Sequence, residues 1–228
     1  MSDTPLTKPK LLIFDVNETM LDLSGMKKAI NTAFGHEFAF QQWFALMLQY
    51  SLVDTVTDSY HDFGTIGKAA MKMTEDKLGK TIEQSKVPEL LGMIKSLPPH
   101  PDIIPGLKKL KSAGYRMITL TNSTHEVVTQ QMKSAGLTEY FEELMSIDAT
   151  RKYKPHPDTY KQALAKANVK PAEAMLIAAH GWDMAGALQA GMQAAFIARE
   201  GQALYPLSPK PQLVGNTLQP IAEKLSAL

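Results

Sequence analysis

The chain of 228 residues contains no cysteine, which excludes disulfides, thiolate metal sites and a cysteine nucleophile together. Any chemistry must rest on oxygen and nitrogen groups. An excess of one charge is also lacking. The chain carries 24 Lys+Arg against 23 Asp+Glu, without the basic footprint that binding a phosphate backbone requires. Nucleic acid is therefore not an expected partner. Long apolar runs are missing too: the first, Leu11 to Val16, is broken by Asp15 and falls short of a signal-peptide core or a membrane span. A cytoplasmic protein with no membrane partner is the expectation. Internal repeats and low-complexity segments are absent.

The sequence does contain a set of short apolar runs that end in polar residues. Lys10 to Phe14 follows a polar, Pro-containing start and reads as a strand buried on both faces, as in a parallel sheet. It delivers Asp15. Tyr115 to Leu120 ends in Thr121-Asn122-Ser123, Ala174 to Ala179 ends in His180-Gly-Trp-Asp183, and Gln193 to Ala198 closes the set. Amphipathic stretches such as Gly106 to Ala113 and Asp158 to Asn168 precede the later runs. This alternation predicts an α/β doubly wound, Rossmann-like parallel sheet. Residues 23–97 read differently, with helical apolar spacing (Trp43, Leu46, Met47, Tyr50), no strand-like run and a Pro98-Pro99 exit. The expected division is a core of 1–22 with 98–228 and an inserted helical cap of 23–97, lying over the end of the first strand. The tail from Leu204 to Pro211, with three prolines, is expected to be irregular and to lead into a short C-terminal helix.

Ligands in doubly wound sheets bind beyond the carboxyl ends of strands, so polar residues collected there point to one site. A single Asp, Asn or Thr at such a place is as readily a helix cap; four strand ends bearing polar groups favour a site. A carboxylate at a strand end, ringed by N–H groups of the next turn, can be held ionised and aimed as a covalent nucleophile, which suits Asp15. Thr19 suits a hydroxyl that holds the turn. Lys154 would place a cation beside Asp15 and lower its pKa, although most lysines are simply solvated. Asp183 is a second carboxylate, suited to orient Lys154 or activate water, or else to cap a helix.

Phe14-Asp15-Val16-Asn17-Glu18-Thr19 resembles the first motif of the haloacid dehalogenase superfamily. Thr121-Asn122 is similar to its second motif, Lys154-Pro155 to its third and Gly181-Trp182-Asp183 to its fourth, in order across essentially the whole chain. Phosphate-cleaving members carry an Asp two residues beyond the nucleophile as acid/base, where this chain has Asn17, and usually Gly-Asp at the positions held here by Ala178-Ala179. An amide cannot protonate a leaving alkoxide. With Asp15 and Asp183 as the only evident acidic ligands, a hard octahedral ion would be poorly held.

Those departures, with Trp182, Asp183, Lys154 and Tyr160, resemble the 2-haloacid dehalogenase branch, which uses no metal or other cofactor. The resemblance implies that Asp15 displaces halide from C2 of a small halocarboxylate, forming an ester that water then hydrolyses with help from Asp183 and Lys154. Thr121, Asn122 and the backbone N–H groups of Val16 and Asn17 would bind the carboxylate or the halide. A homodimer is also implied. Where the branch has a Trp-Arg pair on the cap, this chain has Trp43-Phe44, and a phenyl ring lacks the donors of a guanidinium. Phe44 reads equally as packing and as pocket wall. The usual Asn of the fourth motif is His180, expected to supply the missing donor or to position water. Trp43, Phe44, Leu48, Phe63 and Trp182 suggest a tight apolar pocket. The competing readings are a divergent phosphatase or phosphonate hydrolase and a non-catalytic binding protein on the same fold.

Overall fold

The computed structural model describes residues 5–228. Strand β1 (Leu11–Phe14) is entirely buried and pairs in parallel on both sides, with β2 (Arg116–Thr121) through Leu11↔Arg116 and with β4 (Ala174–Ala178) through Phe14↔Ile177. Strands β3 (Glu143–Ser146), β5 (Gln193–Ile197) and β6 (Leu213–Gly215) complete one sheet in the order β3-β2-β1-β4-β5-β6. The period-two alternation of strand side chains sorts the core into two layers. Leu12, Phe14, Met175 and Ile177 face one cluster, and Leu11, Ile13, Leu176 and Ala178 face the other. Chain order reverses between β1 and β4, so Asp15 leaves the sheet at the switch point where doubly wound folds place their ligands.

Two strands were not visible in the sequence. β3 is the four-residue stretch Glu-Leu-Met-Ser and β6 the three-residue stretch Leu-Val-Gly. Both lie at sheet edges, where short strands are usual and carry too few residues for a periodic signal. The predicted helix at Gly106 to Ala113 is α5, whose observed bounds are Ile103–Ser112. It starts earlier because Ile103 is itself buried against the sheet. Helix α7 (Pro157–Ala167) ends at Asn168 in the left-handed conformation, a usual helix stop. The tail from Leu204 is irregular up to β6, and α9 (Leu218–Ser226) follows.

Four helices run between β1 and α5: α1 (Ser24–Phe34), α2 (Ala39–Val56), α3 (Phe63–Leu78) and α4 (Val87–Gly92). Asp62 caps α3 by accepting from the Thr65 N–H at 3.0 Å, and the Trp43 indole N–H donates to the Gly67 carbonyl at 2.8 Å, tying α2 to α3. Phe44 stacks on Phe40 with ring centroids 5.7 Å apart and packs into the larger apolar cluster, as Leu48 does. Among the described residues no helix is long and apolar enough to cross a membrane.

Candidate active site

Asp15 follows β1 directly, its N–H donating to the Ile177 carbonyl of β4 at 3.1 Å. The next residues form a tight turn in which the N–H groups of Met20 and Leu21 both reach the Val16 carbonyl, at 2.9 and 3.1 Å. That turn brings the Thr19 hydroxyl back to donate to Asp15 Oδ2 at 2.6 Å, while its oxygen accepts from the Ala179 N–H at 2.9 Å. The Lys154 ammonium donates to Asp15 Oδ1 at 2.8 Å and to Asp183 Oδ2 at 2.7 Å, and its backbone N–H is received by Asn122 Oδ1 at 3.0 Å. The remaining Asp183 oxygen accepts from the Tyr160 hydroxyl at 2.5 Å. Gly186 of α8 (Gly181–Gln189) permits that contact, because a Cβ there would lie 2.5 Å from the Tyr160 oxygen.

A second cation lies on the opposite side of Asp15. His180 precedes α8, with Nδ1 at 3.0 Å from Asp15 Oδ2 and Nε2 at 2.9 Å from Glu18 Oε2. As an imidazolium it donates to both. Its ring stacks on Trp182 with centroids 5.0 Å apart, and Trp182 also lies 5.7 Å from the Lys154 ammonium. Glu18 has a φ of 59°, a left-handed backbone that non-glycine residues seldom adopt. The turn is fastened from behind. His100 Nε2 lies 3.2 Å from the Glu18 carbonyl, Arg199 donates to the Thr19 carbonyl at 2.9 Å, and the same guanidinium donates to Asp102 at 2.8 Å. Glu18, Asp22, His100 and Arg199 border an open polar cleft, and the Glu18 side chain keeps 20% exposure against 4% for His180.

These contacts set the protonation states. Burial pushes Asp15 up, but the charges of Lys154 and His180 outweigh it and hold the carboxyl well below its usual range. Burial opposes the charge of His180, yet Asp15 and Glu18 raise it to about 10. Lys154 is also raised, since its two carboxylate neighbours outweigh burial. Asp183 moves up, because burial and the Asp15 charge together exceed the pull of Lys154. A carboxylate has about four lone-pair sites. Both on Asp15 Oδ2 are filled, by Thr19 and His180, and one on Oδ1 is filled by Lys154, so Oδ1 retains a free lone pair for attack on an electrophile.

Asp15, Thr19, Lys154, Asp183, Tyr160, His180 and Trp182 thus form one connected cluster. Other predicted residues have different surroundings. The Asn17 carboxamide faces away into a structural network, donating to Ser123 Oγ at 3.2 Å and accepting from Gln131 Nε2 at 2.8 Å. Its side chain is not directed at Asp15, because Gln131 also anchors it to the inserted helices through the Ile94 carbonyl at 2.9 Å. Thr121 is engaged by the Ser123 N–H at 3.2 Å. Asn122 holds the Lys154 backbone through its oxygen, which leaves its amide N–H groups as donors. Phe44 belongs to the aromatic packing of α2. Glu18, His100 and Arg199 had no assigned role in the sequence reading. Arg199 could have been found by the same rule that found the others, since it stands just past the fourth apolar run.

Comparison with known proteins bears on this geometry. A sequence profile for the family described as haloacid dehalogenase-like hydrolase matches residues 12–197. The chain belongs to this family. Curated relatives include (S)-2-haloacid dehalogenase of Xanthobacter autotrophicus, 29% identical over 93% of this chain and 82% of the relative, and haloacetate dehalogenase H-2 of Moraxella sp. (strain B), 23% identical over 97% and 100%. Among solved structures, L-2-haloacid dehalogenase from Xanthobacter autotrophicus superposes with a TM-score of 0.86 at 26% identity, over 96% of this chain and 99% of that one. The six-stranded α/β fold of the family is therefore shared across nearly the whole length.

Proposed function

We propose that this haloacid dehalogenase-like hydrolase dehalogenates small 2-haloalkanoic acids hydrolytically, without metal, with residues 23–97 as a cap over a core of 1–22 and 98–228. The observation that carries this reading is the Asp15 carboxylate, held ionised by Lys154, Thr19 and His180 with one lone pair of Oδ1 free. Asp15 Oδ1 attacks C2, the carbon–halogen bond breaks, and halide departs with the bonding pair. Halide needs no proton, so the carboxamide at Asn17 and the methyl at Ala179 are no obstacle, whereas an alkoxide leaving from phosphorus would need an acid. The substrate carboxylate is received by the N–H groups of Val16 and Asn17 and the amide of Asn122.

Water then attacks the Asp15 ester carbonyl. We assign the base for this step to His180 with Glu18 rather than to Asp183, since both Asp183 oxygens are already hydrogen-bonded and its side chain is 0% exposed. Esterification itself prepares that base. It removes the Asp15 charge, one of the two anions that hold His180 protonated, so the imidazolium gives its proton to solvent through Glu18 and can accept one from water. The imidazolium so formed gives that proton to the departing 2-oxygen, and the proton left on the new Asp15 carboxyl passes to His180 at 3.0 Å. Hydrolysis thus returns the 2-hydroxy acid, the Asp15 carboxylate and the starting imidazolium, for a net release of one halide and one proton. Asp183 orients Lys154. A cytoplasmic homodimer completes the reading, with the exposed row Leu52, Val53 and Val56 of α2 as an apolar face for the second copy, testable by sedimentation of Val56→Glu.

The test measures halide release from chloroacetate and 2-chloropropionate in EDTA beside p-nitrophenyl phosphate hydrolysis with and without Mg²⁺. Halide release unaffected by EDTA is the expected result. Metal-dependent phosphate release with no halide would instead establish the phosphatase alternative.

A further inference from the structure

Three successive carbonyls of the turn that follows Asp15 are captured by residues far away in sequence. His100 Nε2 lies 3.2 Å from the Glu18 carbonyl, and the His100 backbone N–H donates to the Met20 carbonyl at 2.9 Å. Between them, Arg199 donates to the Thr19 carbonyl through Nη2 at 2.9 Å and Nε at 3.3 Å. Its third nitrogen, Nη1, donates to Asp102 Oδ1 at 2.8 Å, and the other oxygen of that carboxylate accepts from the Leu218 N–H at 2.6 Å, where α9 begins. Gly106 lets α5 and α9 meet there, since a Cβ on it would lie 2.6 Å from the Leu218 side chain. The guanidinium is thus a three-pronged link from the nucleophile turn to the starts of two helices.

Arg199 also opens the segment that passes over the start of α8. Beyond it, Ala203 to Tyr205 crosses Gly181: a Cβ there would lie 2.3 Å from the Ala203 carbonyl oxygen and 2.9 Å from the Tyr205 nitrogen. One stretch, 199–205, therefore touches both the residue after Glu18 and the residue after His180. The left-handed backbone of Glu18 persists only where its surroundings hold it. Thr19 and Asp15 do not share that dependence, because the Thr19 hydroxyl is fixed between Asp15 Oδ2 at 2.6 Å and the Ala179 N–H at 2.9 Å.

We propose that Arg199 is a positioning residue for ester hydrolysis: anchored on Asp102, it fixes the Thr19 carbonyl and so keeps the Glu18 carboxylate against His180. The inference rests on the dehalogenase reading and deepens it, by naming what holds the hydrolytic base together. Lysine cannot substitute, since one ammonium lacks the planar fork that spans Thr19 and Asp102.

The first test needs no substrate. The titration of His180 is followed by NMR of its ring in the resting protein, with His180→Asn to assign the signal. Asp15 and Glu18 face this ring, Lys154 and Asp183 lie beyond Asp15, and Asp22, Lys27, His100, Arg199 and Glu200 border the cleft with Glu18. Removing a nearby positive charge raises the midpoint of a histidinium, whereas losing a carboxylate partner lowers it. Arg199→Ala therefore gives opposite signs for a mere neighbouring charge and for a positioning residue. The expected result is a fall of about one to two pH units, the worth of one hydrogen bond to a charged group. Arg199→Lys, which keeps the charge, should show a similar fall, and it decides the matter where Arg199→Ala does not fold. An unchanged or raised midpoint would overturn the proposal.

The second test is kinetic. With chloroacetate, Arg199→Ala should keep the single-turnover halide burst and lose roughly tenfold in steady-state turnover, as expected when general-base assistance is weakened. In the double variant with Glu18→Gln the losses should not multiply, since both changes remove the same contact. Equal loss of burst and turnover, or multiplying losses, would overturn the proposal and leave the dehalogenase reading standing. No halide from the wild type would overturn that reading and the hydrolytic role with it, while the His180 midpoint still reports whether Arg199 holds Glu18.

Discussion

The two sides of Asp15 are built from the same parts and behave differently. On one side a cation, Lys154, lies between Asp15 and a second carboxylate, Asp183. On the other a cation, His180, lies between Asp15 and Glu18. The Lys154 side is sealed, with Lys154 and Asp183 both at 0% exposure and Tyr160 closing the last acceptor. A buried ammonium between two carboxylates has nowhere to send a proton, so it serves as fixed charge. The His180 side ends at Glu18 in an open cleft, and its cation is an imidazole, which can exchange a proton once a neighbouring charge is removed. The comparison teaches that exposure of the outer carboxylate, rather than the presence of a pair, separates electrostatic support from proton transfer.

The largest effect is expected on the sealed side. Lys154→Met leaves Asp15 and Asp183 buried without their shared cation, and breaking a buried pair from one side costs about 3–5 kcal/mol. Denaturant unfolding should record that loss, and halide release should fall on the order of a hundred- to a thousandfold, as when a fixed charge-stabilising donor is removed. Glu18→Gln should act only on the second half-reaction. It weakens general-base assistance, itself worth about 10²–10⁴-fold, so turnover should drop roughly tenfold while the single-turnover halide burst persists. Loss of one anion beside His180 also moves the rise of the hydrolytic rate to lower pH, which stopped-flow pH profiles would reveal.

Tyr160→Phe should barely change turnover, because it strips one hydrogen-bond donor from Asp183 without touching Asp15. Its signature is about 1–3 kcal/mol of lost stability from an unsatisfied buried oxygen. The smallest expected effect is on the pH dependence of stability. His180 is raised in the folded protein from 6.5 to about 10, so its contribution is complete below the lower value and disappears as pH rises through the upper one. Thermal unfolding of the wild type should weaken between those limits, and His180→Asn should flatten that slope.

Much of this site was legible in the sequence because strand ends announce themselves. Asp15, Asn122 and His180 each stand just past an apolar run, and Lys154 and Asp183 carry residue types whose chemistry is narrow. The doubly wound fold followed from the same alternation. Glu18 was visible only as a charged residue in a turn, and its role depends on a left-handed backbone held by His100 and Arg199 from elements far away in sequence. Asn17 shows a similar limit. Its sequence position suggested only a backbone N–H at the substrate and was silent on its side chain, whose direction is decided by distant partners, Gln131 and Ser123. Strands β3 and β6 escaped because three or four residues at a sheet edge carry no period.

The side of Asp15 that carries the proton decides how the ester is hydrolysed. Intact-mass analysis of His180→Asn and Asp183→Asn, quenched during turnover of chloroacetate, tests this directly. The expected result is an ester on Asp15 in nearly every His180→Asn molecule, after a burst of one halide per site. Ester accumulation in Asp183→Asn, with His180→Asn hydrolysing at the wild-type rate, would contradict it.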